Sequence, residues 1–284
     1  MADVDPQPAM ELRYGSAPDR RRRIQELVQE QGYCTTAELA GAFEVSEMTI
    51  RRDVARLVAQ GAVRDVHGGV SVASSQELRG ADYVLRRQSL PTLKSAIAHQ
   101  ALELLPDQGA IAIDSGSTAF EFARCLPANR RLQVVTHSLP ALTALAGRDE
   151  IEVVGLGGTL QHISQSFAGP TTLAAVADIR VSTFFMAASG ITERGVFCGS
   201  DFDAVTKRAL MNVADEVVLL TDSSKFSTTA MVRTCPLEAI SAVVVDDGIT
   251  DEWKERLEVL GVRVIVVSAS RWSEALPVPS TSAN

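Results

Sequence analysis

Three arginines stand within six residues in the stretch SEMTIRRDVARL, residues 46–57. A guanidinium group is planar and always charged, so Arg51, Arg52 and Arg56 could pair with phosphates or donate two hydrogen bonds to a guanine edge. The whole chain nevertheless carries a formal net charge of -8. Neither residues 1–75, with 9 Lys and Arg against 11 Asp and Glu, nor the remainder is basic. Any affinity for nucleic acid must therefore come from this local cluster.

The spacing places these arginines on the outer face of a predicted helix. Ser46 is a suitable N-cap, because its hydroxyl can accept from the amides of the first turn. At 100° per residue, Ile50, Val54 and Leu57 form an apolar stripe for packing. The opposite side collects Met48, Thr49, Arg52 and Arg56, with Arg51 on its flank. We expect Met48, Thr49 and Arg52 to meet base edges in a major groove, and Arg51 and Arg56 to meet phosphates.

Two further helices and a hairpin must position this face. The first helix is predicted from near Pro18 to Gln31, and the second begins at Thr35-Thr36. Residues 63–72, VRDVHGGVSV, alternate around a glycine pair, which is typical of a tight hairpin. Three helices followed by a hairpin predict a winged helix-turn-helix. Further DNA contacts are expected from Arg21, Thr36, Ser46, Arg64, His67, Gly68 and Gly69.

Simpler interpretations exist for these arginines. Those of residues 46–57 could form a solvated face paired with Glu47 or Asp53. Caps, turn and glycine hairpin in register favour the DNA interpretation. For Arg21, within the run RRRR at 20–23, a contact with the DNA backbone and a plain solvated helix start both remain open.

A second chemistry is indicated by DSGST, residues 114–118, which follows a predicted strand and opens a predicted helix. Small residues expose backbone amides there, and the helix N-terminus adds partial positive charge, so the segment suits a phosphate or another small anion. A plain strand-to-helix turn is the alternative. Ligands of open α/β sheets bind at the carboxyl ends of strands. Polar or glycine-rich segments follow four other predicted strands, at 136–138, 157–158, 189–191 and 222–226.

Lys207 and Lys225 are the cations best placed to pair with such an anion. A lone lysine is usually solvated. Lys225, between a serine pair and Phe226 directly after a strand, is the stronger candidate. Lys207 lies in DAVTKRAL and could face solvent on its helix.

Seven short apolar runs, with helical segments between most of them, must carry these loops. They are residues 110–114, 132–136, 151–156, 181–188, 216–221, 239–245 and 262–267. This alternation predicts an α/β fold, a doubly wound and mainly parallel sheet covered by helices on both faces. We predict a disordered lead at 1–18, a winged helix-turn-helix domain at 19–73, a linker at 74–92, an α/β sensor domain at 93–268 and a disordered tail at 269–284.

Composition excludes several protein classes. With 46% hydrophobic and 22% charged residues, the 284-residue chain can bury a substantial core. No run approaches the ~20 apolar residues of a membrane span, and no signal peptide is apparent. The four cysteines lack metal-ligand spacing. We therefore expect reduced thiols, a cytoplasmic location, no metal, no cofactor and no membrane partner.

Residues 21–70, RRRIQELVQEQGYCTTAELAGAFEVSEMTIRRDVARLVAQGAVRDVHGGV, resemble the N-terminal domain of the DeoR family of bacterial transcriptional regulators. The pattern SxxTIRRDxxxL followed by HGG is distinctive. The resemblance extends over about residues 18 to 267. It implies a sensor domain that is similar in fold to sugar-phosphate isomerases and binds phosphorylated sugars or related metabolites.

The resemblance also implies which residues contact the effector. Two departures from the family pattern matter: His137 stands where family members commonly have Asn, and Asp203-Ala204 stands where they have Glu-Ala. His137 could be a second cation for the anion, could alter recognition of sugar hydroxyls, or could leave the ligand unchanged. The candidate effector residues are Asp114, Ser115, Gly116, Ser117, Thr118, Thr136, His137, Gly157, Gly158, Ser189, Gly190, Asp203, Lys207, Asp222 and Lys225.

The expected function is repression of a carbohydrate catabolism operon, with release from the operator when a phosphorylated sugar or related anion binds. Paired half-sites require paired readers, so we expect a homo-oligomer, a dimer or tetramer. No catalytic residue is predicted. The alternative is a sugar-phosphate isomerase with an accessory DNA-binding domain. Such an enzyme needs a carboxylate base, for which Asp114, Asp203 and Asp222 are the candidates.

Overall fold

The computed structural model describes residues 17–31, 33–60, 62–66, 69–72, 83–226, 228 and 230–268. The chain divides into two compact units, Met1–Ser74 and Ser75–Asn284. The predicted lead and tail lie almost wholly outside the described residues. Among the helices that the structure describes, none has the length and apolar character needed to cross a membrane.

The first unit contains the three helices and the hairpin that the sequence predicts, together with one strand that it does not. Its short sheet is antiparallel, in the order β1-β3-β2. The added strand is β1, which follows the first helix and pairs with β3. The elements are α1 (Ala17–Gln31), β1 (Tyr33–Thr35), α2 (Thr36–Ala42), α3 (Glu47–Ala59), β2 (Val63–Val66) and β3 (Gly69–Val72).

Local capping explains where α2 and α3 begin. Thr35 and Glu38 form a capping box, in which each side chain accepts from the other's backbone amide. Ser46 caps α3 by accepting from the Thr49 amide at 3.2 Å. The apolar faces of α1 and α3 then meet in a core that includes Ile24, Val28, Leu39, Ile50, Val54 and Leu57.

The second unit is built on a seven-stranded sheet in which all strands are parallel. Its order is β15-β14-β12-β9-β4-β5-β6. The strands are β4 (Gln108–Ile113), β5 (Arg131–Thr136), β6 (Glu152–Gly155), β9 (Val181–Ala187), β12 (Ala214–Leu220), β14 (Ala242–Asp246) and β15 (Arg263–Val267). These are the seven apolar runs predicted as strands.

Helices cover both faces of this sheet, as predicted for a doubly wound fold. One buried cluster includes Ile97, Ile111, Phe122 and Phe185. The other includes Phe184, Met186, Leu210 and Trp253 on the opposite face. The helices are α4 (Tyr83–Gln88), α5 (Pro91–Ala101), α6 (Ser117–Cys125), α7 (Leu139–Leu145), α8 (Pro170–Ala177), α9 (Asp201–Asn212) and α10 (Asp251–Val259). Two small antiparallel sheets are added by β7 (Thr159–Gln161) with β8 (Ser166–Ala168), and by β10 (Gly190–Thr192), β11 (Gly195–Cys198) and β13 (Val232–Cys235).

The order in which successive strands are added across the sheet reverses between β4 and β9, which are parallel neighbours. From β4 the chain moves through β5 to β6 at one edge, and from β9 it moves through β12 and β14 to β15 at the other. Such a reversal leaves a crevice outside the carboxyl ends of the two central strands. The predicted DSGST segment starts at that point.

The predicted linker, residues 74–92, is wrong in its second half. Residues 83–88 form α4, and α5 already begins at Pro91. The Tyr83 ring is buried and lies edge-on to Phe120 at 6.3 Å, while the Tyr83 amide donates to the Ile163 carbonyl at 2.9 Å. Polar composition misled the prediction, because the burial here depends on one aromatic ring and on backbone contacts.

Candidate nucleic-acid interface and ligand site

The outer face of α3 is exposed, as its periodicity predicts. Met48 is 70% exposed, and Arg51, Arg52 and Arg56 are exposed as well. Arg51 lies 3.8 Å from Glu47 in an exposed pair, which holds a guanidinium only weakly. Thr49 is half-buried, and its Oγ1 lies 3.0 Å from Ser46 Oγ. The other predicted contact residues of α3 share one accessible surface.

Asp53 does not neutralise that surface, because it points to the other side of α3. It is 3% exposed and accepts from Arg20 Nε at 2.7 Å and from Arg21 Nη1 at 3.2 Å. The two arginine side chains are only 14% and 16% exposed. Arg21 therefore fits neither alternative that the sequence left open, since it fastens α1 to α3 within the unit.

The remaining predicted DNA contacts are only partly described. Thr36 is the first residue of α2 and is half-buried, and Ser46 is exposed at the start of α3. Arg64 lies in β2 and Gly69 begins β3. His67 and Gly68 lie outside the described residues.

The centre of the second unit is the Asp114 carboxylate, which is fully buried at the carboxyl end of β4. Its Oδ1 accepts from the Ser115 amide at 2.8 Å and lies 3.1 Å from His137 Nε2. Its Oδ2 accepts from the Ala187 amide at 2.8 Å and from Lys207 Nζ. Asp114 thus joins residues that follow β4 and β5, end β9 and belong to α9.

Lys207 and Asp114 form a buried ion pair. Burial by itself raises the pKa of Asp114, but Lys207 and His137 hold that pKa below its ordinary value. Burial likewise opposes the ammonium form of Lys207, yet Asp114 and Asp203 hold its pKa above the ordinary value. Asp203 Oδ1 lies 3.5 Å from Lys207 Nζ. Both groups of the pair are therefore charged.

His137 lies beneath the ligand site and is 1% exposed. Its Nδ1 is 3.1 Å from the Phe167 carbonyl oxygen, and its Nε2 faces the Asp114 carboxylate. Each ring nitrogen therefore lies within hydrogen-bond distance of an oxygen of the protein itself. The Ser115 amide, 3.2 Å from Nε2, has its shorter contact with Asp114. Neither ring nitrogen is left for a ligand, so the prediction of a second cation that touches the anion does not fit.

Among the described residues, one set of groups, two of them buried and one half-buried, has the spacing of a metal site. Asp114, His137 and Asp203 each offer a ligand atom, and these atoms lie within 4.8 Å of one another. Lys207 binds Asp114 and lies beside Asp203, so an ammonium group already supplies positive charge there. The donor set therefore favours a lysine over a metal ion.

A pocket opens above these groups at the N-terminus of α6. Gly116 is the N-cap and has a φ of 136°, and a Cβ at this position would lie 3.0 Å from that of Ala187. No side chain among the described residues caps this helix, so first-turn amides remain for a ligand. The lining includes Arg86, Ser89, Lys94, Gly116, Ser117, Thr118, Ser189, Asp222 and Lys225.

Lys94 is a pocket residue that the sequence interpretation missed. It is 4% exposed, and its Nζ donates to the Arg86 carbonyl, to the Ser89 carbonyl at 2.5 Å and to Ser89 Oγ at 3.1 Å. Burial lowers its pKa to about 7. A signal was available: Lys94 precedes Ile97, Ala98 and Ala101 at helical spacing, which puts a lysine on the buried face of α5.

The loop after β12 brings the second predicted lysine to the pocket. Asp222 is buried and accepts from Ser224 Oγ, and Lys225 is half-buried. Ser223 fixes this loop, since its amide donates to Asp246 Oδ1 at 2.6 Å and its hydroxyl to Oδ2 at 2.7 Å. The end of β14 therefore positions Lys225.

The predicted effector residues fall into three groups. Those that line the pocket are Gly116, Ser117, Thr118, Ser189, Asp222 and Lys225. Those in or beside the polar cluster beneath it are Asp114, Ser115, Thr136, His137, Asp203 and Lys207. Gly157, Gly158 and Gly190 are not among the lining residues. Gly157 instead accepts from Thr172 Oγ1 at 2.6 Å through its carbonyl.

Comparison with known proteins bears on both units. Residues 20–76 match the DeoR-like helix-turn-helix domain, and residues 91–247 match the DeoR C terminal sensor domain. Among solved structures, ribose 5-phosphate isomerase A from Methanocaldococcus jannaschii shares 23% identity with a TM-score of 0.37, covering 49% of this chain and 55% of that one.

Curated relatives align over most of their length. The glycerol-3-phosphate regulon repressor of Haemophilus influenzae is 32% identical over 84% of this chain and 93% of the relative. The glycerol-3-phosphate regulon repressor of Escherichia coli is 32% identical over 80% of this chain and 90% of the relative. The L-fucose operon activator of Haemophilus influenzae is 29% identical over 84% and 96%. With both domains matched in order, the chain belongs to the DeoR family of transcriptional regulators.

Proposed function

We propose that this regulator is a repressor of a carbohydrate catabolism operon and leaves its operator when a phosphorylated sugar or a related anion fills the pocket above Asp114. The observation that carries the proposal is the uncapped N-terminus of α6, which faces a pocket also lined by Arg86 and Lys225. Free amides and nearby cations are what a phosphate group requires. Relatives named as glycerol-3-phosphate regulon repressors support the same ligand class.

Within the pocket, the phosphate binds the first-turn amides of α6 and Lys225. Asp222 and Ser189 line the same space and can bind sugar hydroxyls, because a carboxylate accepts hydrogen bonds and a serine both donates and accepts them. Gly116 allows the backbone to approach the anion. The cluster of Asp114, His137 and Lys207 supports this loop from below.

A regulator is favoured over an isomerase by the state of the carboxylates. A catalytic base must be free to take a proton from the substrate. Asp114 is already held by two amides, Lys207 and His137, and its pKa is lowered. Asp203 is engaged with Lys207, and Asp222 accepts from Ser224. The carboxylates that an isomerase would need as its base are thus already engaged in hydrogen bonds and ion pairs that position the residues around the pocket.

In the first unit, Met48, Thr49 and Arg52 read base edges while Arg51 and Arg56 contact phosphates. Arg21 acts indirectly, by fixing α1 to α3 through Asp53. The regulator acts in the cytoplasm. It binds the paired half-sites of its operator as a dimer or a larger assembly. Effector binding and operator binding are coupled equilibria, so the effector lowers operator affinity by favouring the arrangement that fits the half-sites poorly.

A thermal-shift screen tests the ligand class, because a bound effector must raise the melting temperature by mass action. The panel pairs each phosphorylated sugar with the same sugar lacking phosphate. We expect one phosphorylated member to stabilise the protein and to release it from operator DNA. Lys225→Met should abolish the shift, whereas the control Lys254→Met, on α10, should retain it. Saturable turnover of a panel member that Asp114→Asn abolishes would instead establish an enzyme.

A further inference from the structure

Helices α8 and α9 form an exposed apolar surface for which the sensor site gives no reason. Phe202 is 56% exposed and Val205 is 41% exposed, both on α9. Together with Gly169, Pro170 and Leu173 they line an apolar groove between the two helices. Large exposed apolar side chains that are contiguous mark contact surfaces more often than singly scattered ones do.

The exposed side of α8 is small and uncharged. Residues 170–177, PTTLAAVA, contain no charged side chain, and Ala174, Ala175 and Ala177 are exposed. Small side chains permit another helix to approach closely. A surface helix that served only to face water would be expected to carry charged residues there.

The charges on α9 indicate which partner fits. Asp201 and Arg208 are both exposed and lie on the same side of α9 as Phe202 and Val205, one toward each end. The Arg208 guanidinium donates to the carbonyls of Thr234 and Arg233, and because these are neutral groups its positive charge remains for a partner. If a second α9 crosses this helix in antiparallel direction near Val205, each Asp201 faces the other copy's Arg208. The neutral α8 brings no like charges together in such a pairing. This surface is therefore complementary to itself, which is the requirement of a two-fold interface.

We propose that the α8–α9 surface, defined by Leu173, Ala174, Ala177, Phe202 and Val205, binds a second copy of this chain. The inference rests on the proposed function in one respect, that paired half-sites call for paired DNA-binding units. It gives that pairing a location in the sensor unit.

The position of α9 also connects this surface to the pocket. One side of the helix carries Phe202 and Val205 outward, and the other carries Asp203 and Lys207 to the polar cluster around Asp114. A ligand that displaces Lys207 together with α9 would therefore act on the interface. Coupling between effector and operator needs such a shared element.

Analytical ultracentrifugation of the full chain tests the interface. We expect the wild type to sediment as a dimer or larger assembly at micromolar concentration. Phe202→Glu and Ala174→Glu should each raise the dimer dissociation constant by roughly tenfold or more, because a substitution in a two-fold contact acts twice. The matched control is Val259→Glu, which changes an 86% exposed valine on α10 and should leave the mass unchanged.

The outcomes separate the interface from the proposed function. A monomeric wild type at about 100 µM, or unchanged mass in both variants, overturns the inference. If Phe202→Glu fails to fold, as judged by circular dichroism, the exposed Ala174→Glu decides. The wild type is assayed separately for DNA and effector binding. A lower sedimenting mass of the variants supports the interface, even if the wild type binds neither DNA nor effector. Failure of the wild type to bind them would refute only the proposed function.

Discussion

The two candidate sites use charge in opposite ways. On α3, three arginines are exposed, and Glu47 holds Arg51 only loosely, at 3.8 Å. Beneath the pocket, Asp114 and Lys207 are buried and bound to each other. An exposed guanidinium is kept in water for an outside partner, whereas a buried ion pair fixes the shape of its surroundings. Charge location, rather than net charge, thus distinguishes a binding surface from a scaffold.

Removing the buried cation should have the largest effect. Lys207→Met leaves Asp114 buried with its main counter-charge gone, which costs about 3–5 kcal/mol in the free energy of unfolding. Denaturant titration measures this. The control Lys254→Met should stay within about 0.5 kcal/mol, because that lysine forms an exposed pair with Asp251. If Lys207→Met lowered the free energy of unfolding by less than about 1 kcal/mol, the buried ion pair would not stabilise the fold as proposed, and it would not differ in this respect from the exposed arginines of α3.

A second buried lysine gives a pH dependence that sharpens the comparison. Burial lowers the pKa of Lys94 to about 7 in the folded protein, whereas an ordinary lysine has a pKa of 10.5. Between these values the unfolded chain binds more protons, so stability rises with pH. Relative to Lys94→Met, the wild type should gain about 1.4 kcal/mol per pH unit over pH 7–9, or about 3 kcal/mol in total. Parallel stability curves for the two proteins would contradict the burial of this ammonium.

The exposed arginines should affect binding and leave stability nearly unchanged. Arg52→Ala should weaken operator binding by about 1–3 kcal/mol relative to random duplex, if it reads a guanine. Arg51→Ala should weaken binding to the operator and to random duplex alike. It should also reduce, by about one, the slope of the logarithm of the binding constant against the logarithm of the salt concentration. Binding isotherms at several salt concentrations on both DNAs measure this. Equal losses of binding free energy for both variants on both duplexes would contradict the assignment of Arg52 to a base edge and of Arg51 to a phosphate.

The sequence predicts most of the fold because the fold follows from local patterns. Alternating β-branched runs locate all seven strands of the parallel sheet, and Ser46 locates the start of α3. The polar stretch before Pro91 fails because Tyr83 is held by contacts with Phe120 and Ile163, which are distant in sequence. Apolar periodicity predicts burial only where several apolar residues recur at the same spacing, and a single buried ring such as that of Tyr83 gives no such pattern.

The sequence predicts which residues gather at the sheet edge but not their depth. Asp114, His137 and Lys225 are all polar and all follow a strand, yet Asp114 and His137 lie buried beneath the pocket while Lys225 lines it. Depth depends on which helix crosses above each loop. Arg21 shows the same limit, since its partner Asp53 lies 32 residues away. The sequence suggested Asp53 only as an alternative partner for the arginines of residues 46–57.

The separation of Asp114 from Lys207 has a consequence for synthesis. The two residues are 93 positions apart, and α9 carries the second. At the roughly 5–20 residues per second of translation, a ribosome needs about 5–20 s to pass from one to the other. Until then the carboxylate must stay hydrated, because its main counter-charge has not yet been made. The buried pair beneath the pocket therefore cannot form until the ribosome has made α9.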